Sequence, residues 1–153
     1  TTIMFGEETD TLDILGNIIR KNSANKKNFK IKDIKTVLPN FIGKIKQRPP
    51  VFSAKKINGI RLYKLARNDV FVHLKPVSIE IEDIKIVSMI DNELTIKVTC
   101  HQGTYIRQLG SDIARALGTV GYLKSLIRTS VGNFNLDNTL SLEDIEDWKY
   151  THQ

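Results

Sequence analysis

Residues 78–118 read SIEIEDIKIVSMIDNELTIKVTCHQGTYIRQLGSDIARALG, and two periodicities follow one another in this stretch. From Glu93 to Cys100, Leu94, Ile96, Val98 and Cys100 alternate with Thr95, Lys97 and Thr99, the period of two that turns one row of side chains to a core and the other to water. Ser78–Ile90 is an equally strand-like run before Asp91-Asn92, so the pair predicts an antiparallel hairpin with one wet face. Past Gly103 the period lengthens. Ile106, Leu109, Ile113, Ala116 and Leu117 recur at helical spacing, and Gly118 closes the run. A hairpin that feeds a helix, among elements that alternate irregularly along the chain, predicts an α+β fold: a mixed but mainly antiparallel sheet flanked by helices.

Working outward, Tyr122–Phe134 reads as extended around Gly132, and Ser141–Trp148 opens with Ser-x-x-Asp, a capping box that predicts a C-terminal helix. Upstream, Thr1–Phe5 is a short strand, Gly6–Thr11 is turn-rich and acidic, and Asn17–Arg20 is a second strand. Between Lys30 and Phe41, Ile31, Ile34, Val37, Leu38 and Phe41 predict a helix of about three turns, with Asn28 as its cap. Gly43 and Pro49-Pro50 break that periodicity, and Asn58-Gly59 marks a hairpin turn inside a protruding loop over residues 49–67. A short helix over Arg61–Arg67 and a strand over Val70–Leu74 follow. The expected organisation is one unit over residues 1–134 that carries the loop, then a C-terminal helix over 135–153 that begins an appendage.

With 41% hydrophobic and 26% charged residues over 153 positions, the chain has enough apolar side chain for one core. Global disorder is excluded. One cysteine, Cys100, and three scattered histidines, His73, His101 and His152, supply neither a disulfide framework nor the ligands of a multi-cysteine zinc site. No apolar run approaches the roughly 20 residues needed to cross a bilayer, and residues 1–5 lack the pattern of a signal peptide. The chain therefore reads as cytoplasmic, without metal and without a membrane partner. It begins at Thr1 with a strand-like run, as expected of a C-terminal portion of something longer. Its charge is uneven: between Asn17 and Arg67 there are 15 Lys and Arg and a single acid, Asp33. Such an excess repels itself unless a polyanion neutralises it. Phe52 and Tyr63 interleave with the basic residues of the loop, the mixture that contacts phosphates and stacks on unpaired bases. A nucleic acid is the expected partner, RNA or DNA left open by composition.

The chemistry concentrates at Cys100–Arg107, where the second hairpin strand meets the helix. Gly103 frees the backbone at the corner, Thr104 is a candidate cap, and the N–H groups of the first turn favour an anion. Arg107 is out of place there, because a cation in a first turn opposes the helix dipole. Either a nearby carboxylate or phosphate compensates it, or it is a surface arginine whose side chain reaches out to solvent. Tyr105 is either core or a ring offered to a base.

Four stretches carry a family resemblance. CHQGTYIRQLGSDIARALG at 100–118 and FSAKKINGIRLYKLAR at 52–67 resemble two long motifs of the TruB-type tRNA pseudouridine synthases. GEETDTLD at 6–13 is similar to that family's G-x-x-T-D-T-x-D, and residues 122–134, through Leu126, Arg128, Thr129, Gly132 and Phe134, to its L-x-R-T-x-x-G-x-F. The resemblance implies isomerisation of a T-loop uridine in tRNA to pseudouridine with no metal or organic cofactor. An aspartate attacks the nucleotide, the glycosidic bond breaks, and the uracil turns and rejoins through carbon, with the base flipped from its stack. It assigns Arg107 to holding the catalytic carboxylate and Tyr105 and Leu126 to the uracil pocket. It assigns Phe52, Ser53, Lys55, Lys56, Arg61, Tyr63 and Arg67 to the loop that grips the T-stem-loop.

The family's nucleophile lies in a G-x-L-D-P-x-A-x-G motif, and no such string occurs in these 153 residues. Asp10 and Asp13 match a segment that does not supply the nucleophile, and Asp112 is turned about 140° from Arg107 on the helix. The expectation is a C-terminal portion of the enzyme that binds RNA but is inactive alone, the alternative being a non-catalytic RNA-binding module on the same fold.

Overall fold

The computed structural model describes residues 1–22, 29–53, 56–57, 59–63, 68, 74–139 and 141, with only the backbone at 56, 57 and 61. In chain order the elements are β1 (Thr2–Phe5), β2 (Glu7–Thr9), β3 (Ile18–Lys21), α1 (Ile31–Val37), β4 (Gly43–Gln47), β5 (Lys56–Ile57), β6 (Ile60–Arg61), β7 (Val77–Ile90), β8 (Glu93–Cys100), α2 (Ile106–Ala116), β9 (Gly121–Ser125), β10 (Ser130–Val131) and β11 (Phe134–Asn135).

The hairpin read from alternation is the long β7–β8 pair, and it anchors a five-stranded sheet in the order β4-β7-β8-β1-β9, every ladder of it antiparallel. On its inner face Ile79, Ile81 and Ile84 of β7, Leu94 and Ile96 of β8, Ile3 and Phe5 of β1 and Leu123 of β9 bury against Leu109, Ile113 and Ala114 of α2 and against Ile34 and Leu38. The inward residues of β7 change from odd to even positions between Ile81 and Ile84. A bulge between Ile81 and Asp83 accounts for this: one extra residue restores the apolar row to the core face, which an unbroken period of two would have turned to water.

Two expectations change, and one strand was not foreseen. The helix expected over Lys30–Phe41 is α1 followed by a 3-10 turn, Leu38–Phe41, because Pro39 has no N–H to continue the α ladder. At its start the Asp33 carboxylate accepts the Lys30 N–H at 3.1 Å; Asn28, the expected cap, lies outside the described residues. Residues 43–47 carry no strand signal, yet they form β4, pairing from Gly43↔Ile81 to Gln47↔Val77. Only Ile45 in GKIKQ is strongly apolar, as befits an edge strand whose Lys44 and Lys46 stay exposed. The extended run expected over 122–134 divides into β9 and a separate β10–β11 hairpin that turns at Gly132, where φ is +56°. The expected helix over Arg61–Arg67, the strand over Val70–Leu74 and the helix over Ser141–Trp148 fall mostly outside the described residues. Among the described residues no helix is long and apolar enough to cross a membrane.

Gly121 is one of two glycines, with Gly110, at which α2 and the sheet come into close contact. A Cβ on Gly121 would lie 2.9 Å from the Ala114 Cβ and 3.0 Å from the Met4 carbonyl oxygen. Gly121→Ala is therefore expected to destabilise the fold by about 1–3 kcal/mol, less about 0.4–1 kcal/mol recovered from the stiffer unfolded chain. Urea unfolding of the variant against the parent measures it.

Candidate functional site

Tyr105 and Arg107 stand at the start of α2, where β8 has turned over the sheet. Tyr105 is the N-cap, extended at φ −94° and ψ 101°, and no side chain of its own segment caps the helix. The expected cap, Thr104, instead donates its hydroxyl to the His101 carbonyl at 2.9 Å. The Tyr105 N–H is taken by the Gln47 side chain, whose Oε1 accepts it at 2.9 Å while Nε2 donates to the Tyr105 carbonyl at 3.1 Å.

The Arg107 side chain joins three segments. Nη1 donates to the Thr11 carbonyl at 3.0 Å and to Asp13 Oδ2 at 2.9 Å, and Nη2 donates to the Phe52 carbonyl at 2.8 Å. The compensating carboxylate is thus present, and it is Asp13. Asp13 is itself fixed: its Oδ1 accepts from the Thr11 hydroxyl at 2.7 Å and from the Leu15 N–H at 3.1 Å. Arg107 and Asp13 are about a quarter exposed, which keeps the pair short of full desolvation and open on one side.

One and two turns further along α2 a second network holds the same upstream segment. Glu8, 2% exposed, accepts from Arg115 at 2.8 Å and from the Ser111 hydroxyl at 3.4 Å through Oε1, and pairs with Arg20 at 3.0 Å through Oε2. Residues 107, 111 and 115 recur every four positions and so share one face of the helix. That face is stapled to residues 8–13 along its length. Beside it, between the β2–β3 hairpin, the end of β4 and α2, lies a cleft of about 690 Å³ whose walls include Arg20, Lys46, Arg48, Arg115 and Asp112. Burial pushes the Asp112 carboxyl above its ordinary value, while the hydrogen bond from Gln108 and the charge of Arg115 act in the opposite direction.

The other expected site residues are dispersed. Leu126 is 54% exposed just beyond β9. Phe52 is half-buried, with its carbonyl on Arg107. Ser53 is buried, its hydroxyl without a partner among the described residues, and its carbonyl accepts from the Tyr63 N–H at 3.1 Å. Lys56 and Arg61 are paired in register across the β5–β6 hairpin. Lys55 and Arg67 lie outside the described residues. Sequence reasoning missed Asp13, Glu8 and Gln47 as partners. Asp13 and Glu8 at least fell inside a recognised motif, whereas a glutamine between Lys46 and Arg48 gives no signal.

The family model described as "TruB family pseudouridylate synthase (N terminal domain)" matches residues 1–106, and "tRNA pseudouridylate synthase B C-terminal domain" matches residues 107–153. The chain belongs to the TruB family of pseudouridylate synthases. The two models meet at the first turn of α2, yet β9, downstream, pairs with β1 in the same sheet. Similar curated proteins include the tRNA pseudouridine synthase B of Francisella philomiragia, 42% identical over 97% of this chain and 49% of the relative. That of Bordetella avium is 39% identical over 95% of this chain and 59% of the relative. The chain thus spans about half the length of the curated relatives it matches. Among solved structures, a Cbf5-Nop10-Gar1 complex superposes with a TM-score of 0.63 at 25% identity, over 97% of this chain and 35% of that one. An H/ACA RNP bound to a substrate RNA containing 2'-deoxyuridine superposes at 0.61, with 19% identity, over 97% of this chain and 33% of that one. This second likeness shows the fold.

Two outcomes follow for the TruB chain. Glu8→Gln is expected to cost about 1.5–3 kcal/mol, the scale of hydrogen bonds to charged groups. Arg20→Ala and Arg115→Ala should each cost less, and together more than their sum, because either arginine alone still compensates Glu8. Urea unfolding of the four variants measures this. For Asp112 the folded state keeps its proton at pH values where the unfolded chain has released it. That contribution to stability is complete below the unfolded value and is lost as pH rises through the raised folded value. Asp112→Asn should therefore gain stability relative to the parent as pH climbs through the acid range, in unfolding curves recorded at a series of pH values.

Proposed function

We propose that this chain is part of an enzyme that isomerises a T-loop uridine of tRNA to pseudouridine, and that Arg107 holds the nucleophilic carboxylate contributed by the rest of the protein. The wiring of Arg107 is the observation that carries this reading. A guanidinium has five N–H donors. Three are engaged by Thr11, Asp13 and Phe52, which fixes its plane. Nε–H and one Nη2–H have no partner among the described residues, and donors of this kind match a carboxylate. Asp13 is unsuited to be the nucleophile, since both of its oxygens are occupied. Its role is to hold the arginine.

On this reading the Arg107 charge keeps the attacking carboxylate ionised and oriented. Tyr105 and Leu126 line the pocket for the flipped uracil. No metal or organic cofactor takes part. The loop over 49–67, with Phe52, Ser53, Lys55, Lys56, Arg61, Tyr63 and Arg67, grips the T-stem-loop, and the exposed Lys46 and Arg48 at its approach add positive charge for the RNA backbone. The reaction takes place in the cytoplasm, and the 153-residue chain alone binds RNA without turning it over.

Tritium release from 5-labelled uridine in a tRNA transcript tests the reading. The protein carrying this sequence at the full length of its relatives should release tritium, and Arg107→Ala should abolish release while tRNA affinity is largely retained. The 153-residue chain should bind T-loop RNA with a steep salt dependence and release none. Turnover by that chain alone would remove the need for an outside nucleophile. Collapse of tRNA affinity in Arg107→Ala would make Arg107 a phosphate contact instead.

A further inference from the structure

We infer that Gln47 is a positioning residue for the reaction, coupling the entry of the RNA-gripping loop to the pocket formed around Tyr105; the inference rests on the reading of Tyr105 and Arg107 just given. Gln47 is 1% exposed and is the last residue of β4, the strand from which the loop departs. Its side-chain amide pairs with the backbone of a residue 58 positions away, accepting the Tyr105 N–H at 2.9 Å and donating to the Tyr105 carbonyl at 3.1 Å. The same carbonyl accepts the Leu109 N–H at 3.0 Å, the first rung of α2. The peptide groups on both sides of the Tyr105 Cα are therefore held, and with them the direction in which its ring leaves the backbone. The helix turn that carries Arg107 starts from that fixed point.

The far side of the loop entry is tied to the same helix. Phe52 gives its carbonyl to Arg107 Nη2 at 2.8 Å, and Pro49 and Pro50 between the two ties are buried. Residues 47 and 52 thus bracket a stiff segment fastened to residues 105 and 107. A displacement of the loop when RNA binds reaches the Tyr105 backbone and the Arg107 guanidinium through these contacts.

The residue type is demanding. Only an amide presents a donor and an acceptor in one plane at the reach of this side chain. A glutamate would keep the bond from the Tyr105 N–H but set an oxygen against the Tyr105 carbonyl. A methionine of similar volume would leave both backbone groups without this partner in a buried place.

The test uses Gln47→Glu and Gln47→Met in the protein carrying this sequence at the full length of its relatives, with 3-fluorotyrosine placed at position 105 alone. Both variants should lower kcat on a tRNA transcript by about 10- to 100-fold with KM nearly unchanged, the signature of a misplaced reacting geometry, and both should move the ¹⁹F resonance. A merely structural role would lower the folded fraction but leave the folded molecules with the parent resonance and parent kcat per active site, and that result overturns the inference. So does a well-folded variant with unchanged kcat. Absence of uridine turnover in the parent protein itself would sink the functional reading, and is told apart because it appears before any substitution is made.

Discussion

The arginine at the start of α2 is the junction on which the arrangement of this chain depends. Its guanidinium reaches the turn at residues 11–13, the loop entry at Phe52 and, through its own backbone, the first turn of the helix. These segments are far apart in sequence, and the planar fork of Arg holds them in one geometry, as a lysine's single ammonium would not. A cation opposes the helix dipole at that position. The Asp13 carboxylate at 2.9 Å removes the conflict, and because Asp13 is pinned by Thr11 and Leu15 the pair does not swing freely.

The rest of the upstream segment is secured in a different way. Glu8 is deeply buried and its two arginines are half-exposed, so the cost of desolvation falls chiefly on one carboxylate, which then has two positive charges beside it. A buried ion pair is weak evidence for net stability. Here its value is one of register: the stripe 107, 111, 115 meets residues 8–13 in one alignment, and a slip of β2 along the helix would strand Glu8 without partners.

Sequence patterns revealed the parts of the fold that repeat. β7, β8 and α2 are long enough for periods of two and 3.6 to stand out, and the turn signals around them are unambiguous. β4 was illegible because an edge strand needs few apolar residues, and Lys44 and Lys46 make it look like solvent-exposed loop. The 3-10 turn after α1 follows from Pro39, though its extent does not. In the candidate site, Tyr105 and Arg107 were legible from the misfit of a cation in a first turn and from the motif around it. Their partners were not: Asp13 is 94 residues from Arg107 and Gln47 is 58 from Tyr105, and no local pattern encodes a contact across that distance. Thr104 was a reasonable cap by residue type, but its hydroxyl turns back to the His101 carbonyl, and the backbone of the N-cap residue, Tyr105, is held by a glutamine from β4.

The place of β1 in the sheet has a bearing on how the chain reaches this structure. β1 lies between β8 and β9, and the Thr1 hydroxyl donates to the Ser125 carbonyl 124 residues away. During synthesis β1 therefore emerges long before either of its neighbours, and its Ile3 and Phe5, both buried in the finished core, are made before the strands they pack beside. The β7–β8 hairpin forms from local contacts, but closure of the sheet around β1 is a long-range event whose loop entropy must be met before that interior strand is rewarded. Until β8 and β9 are made, Ile3, Phe5 and both edges of β1 lack the partners they have in this sheet, the kind of unpaired edge that invites wrong pairing.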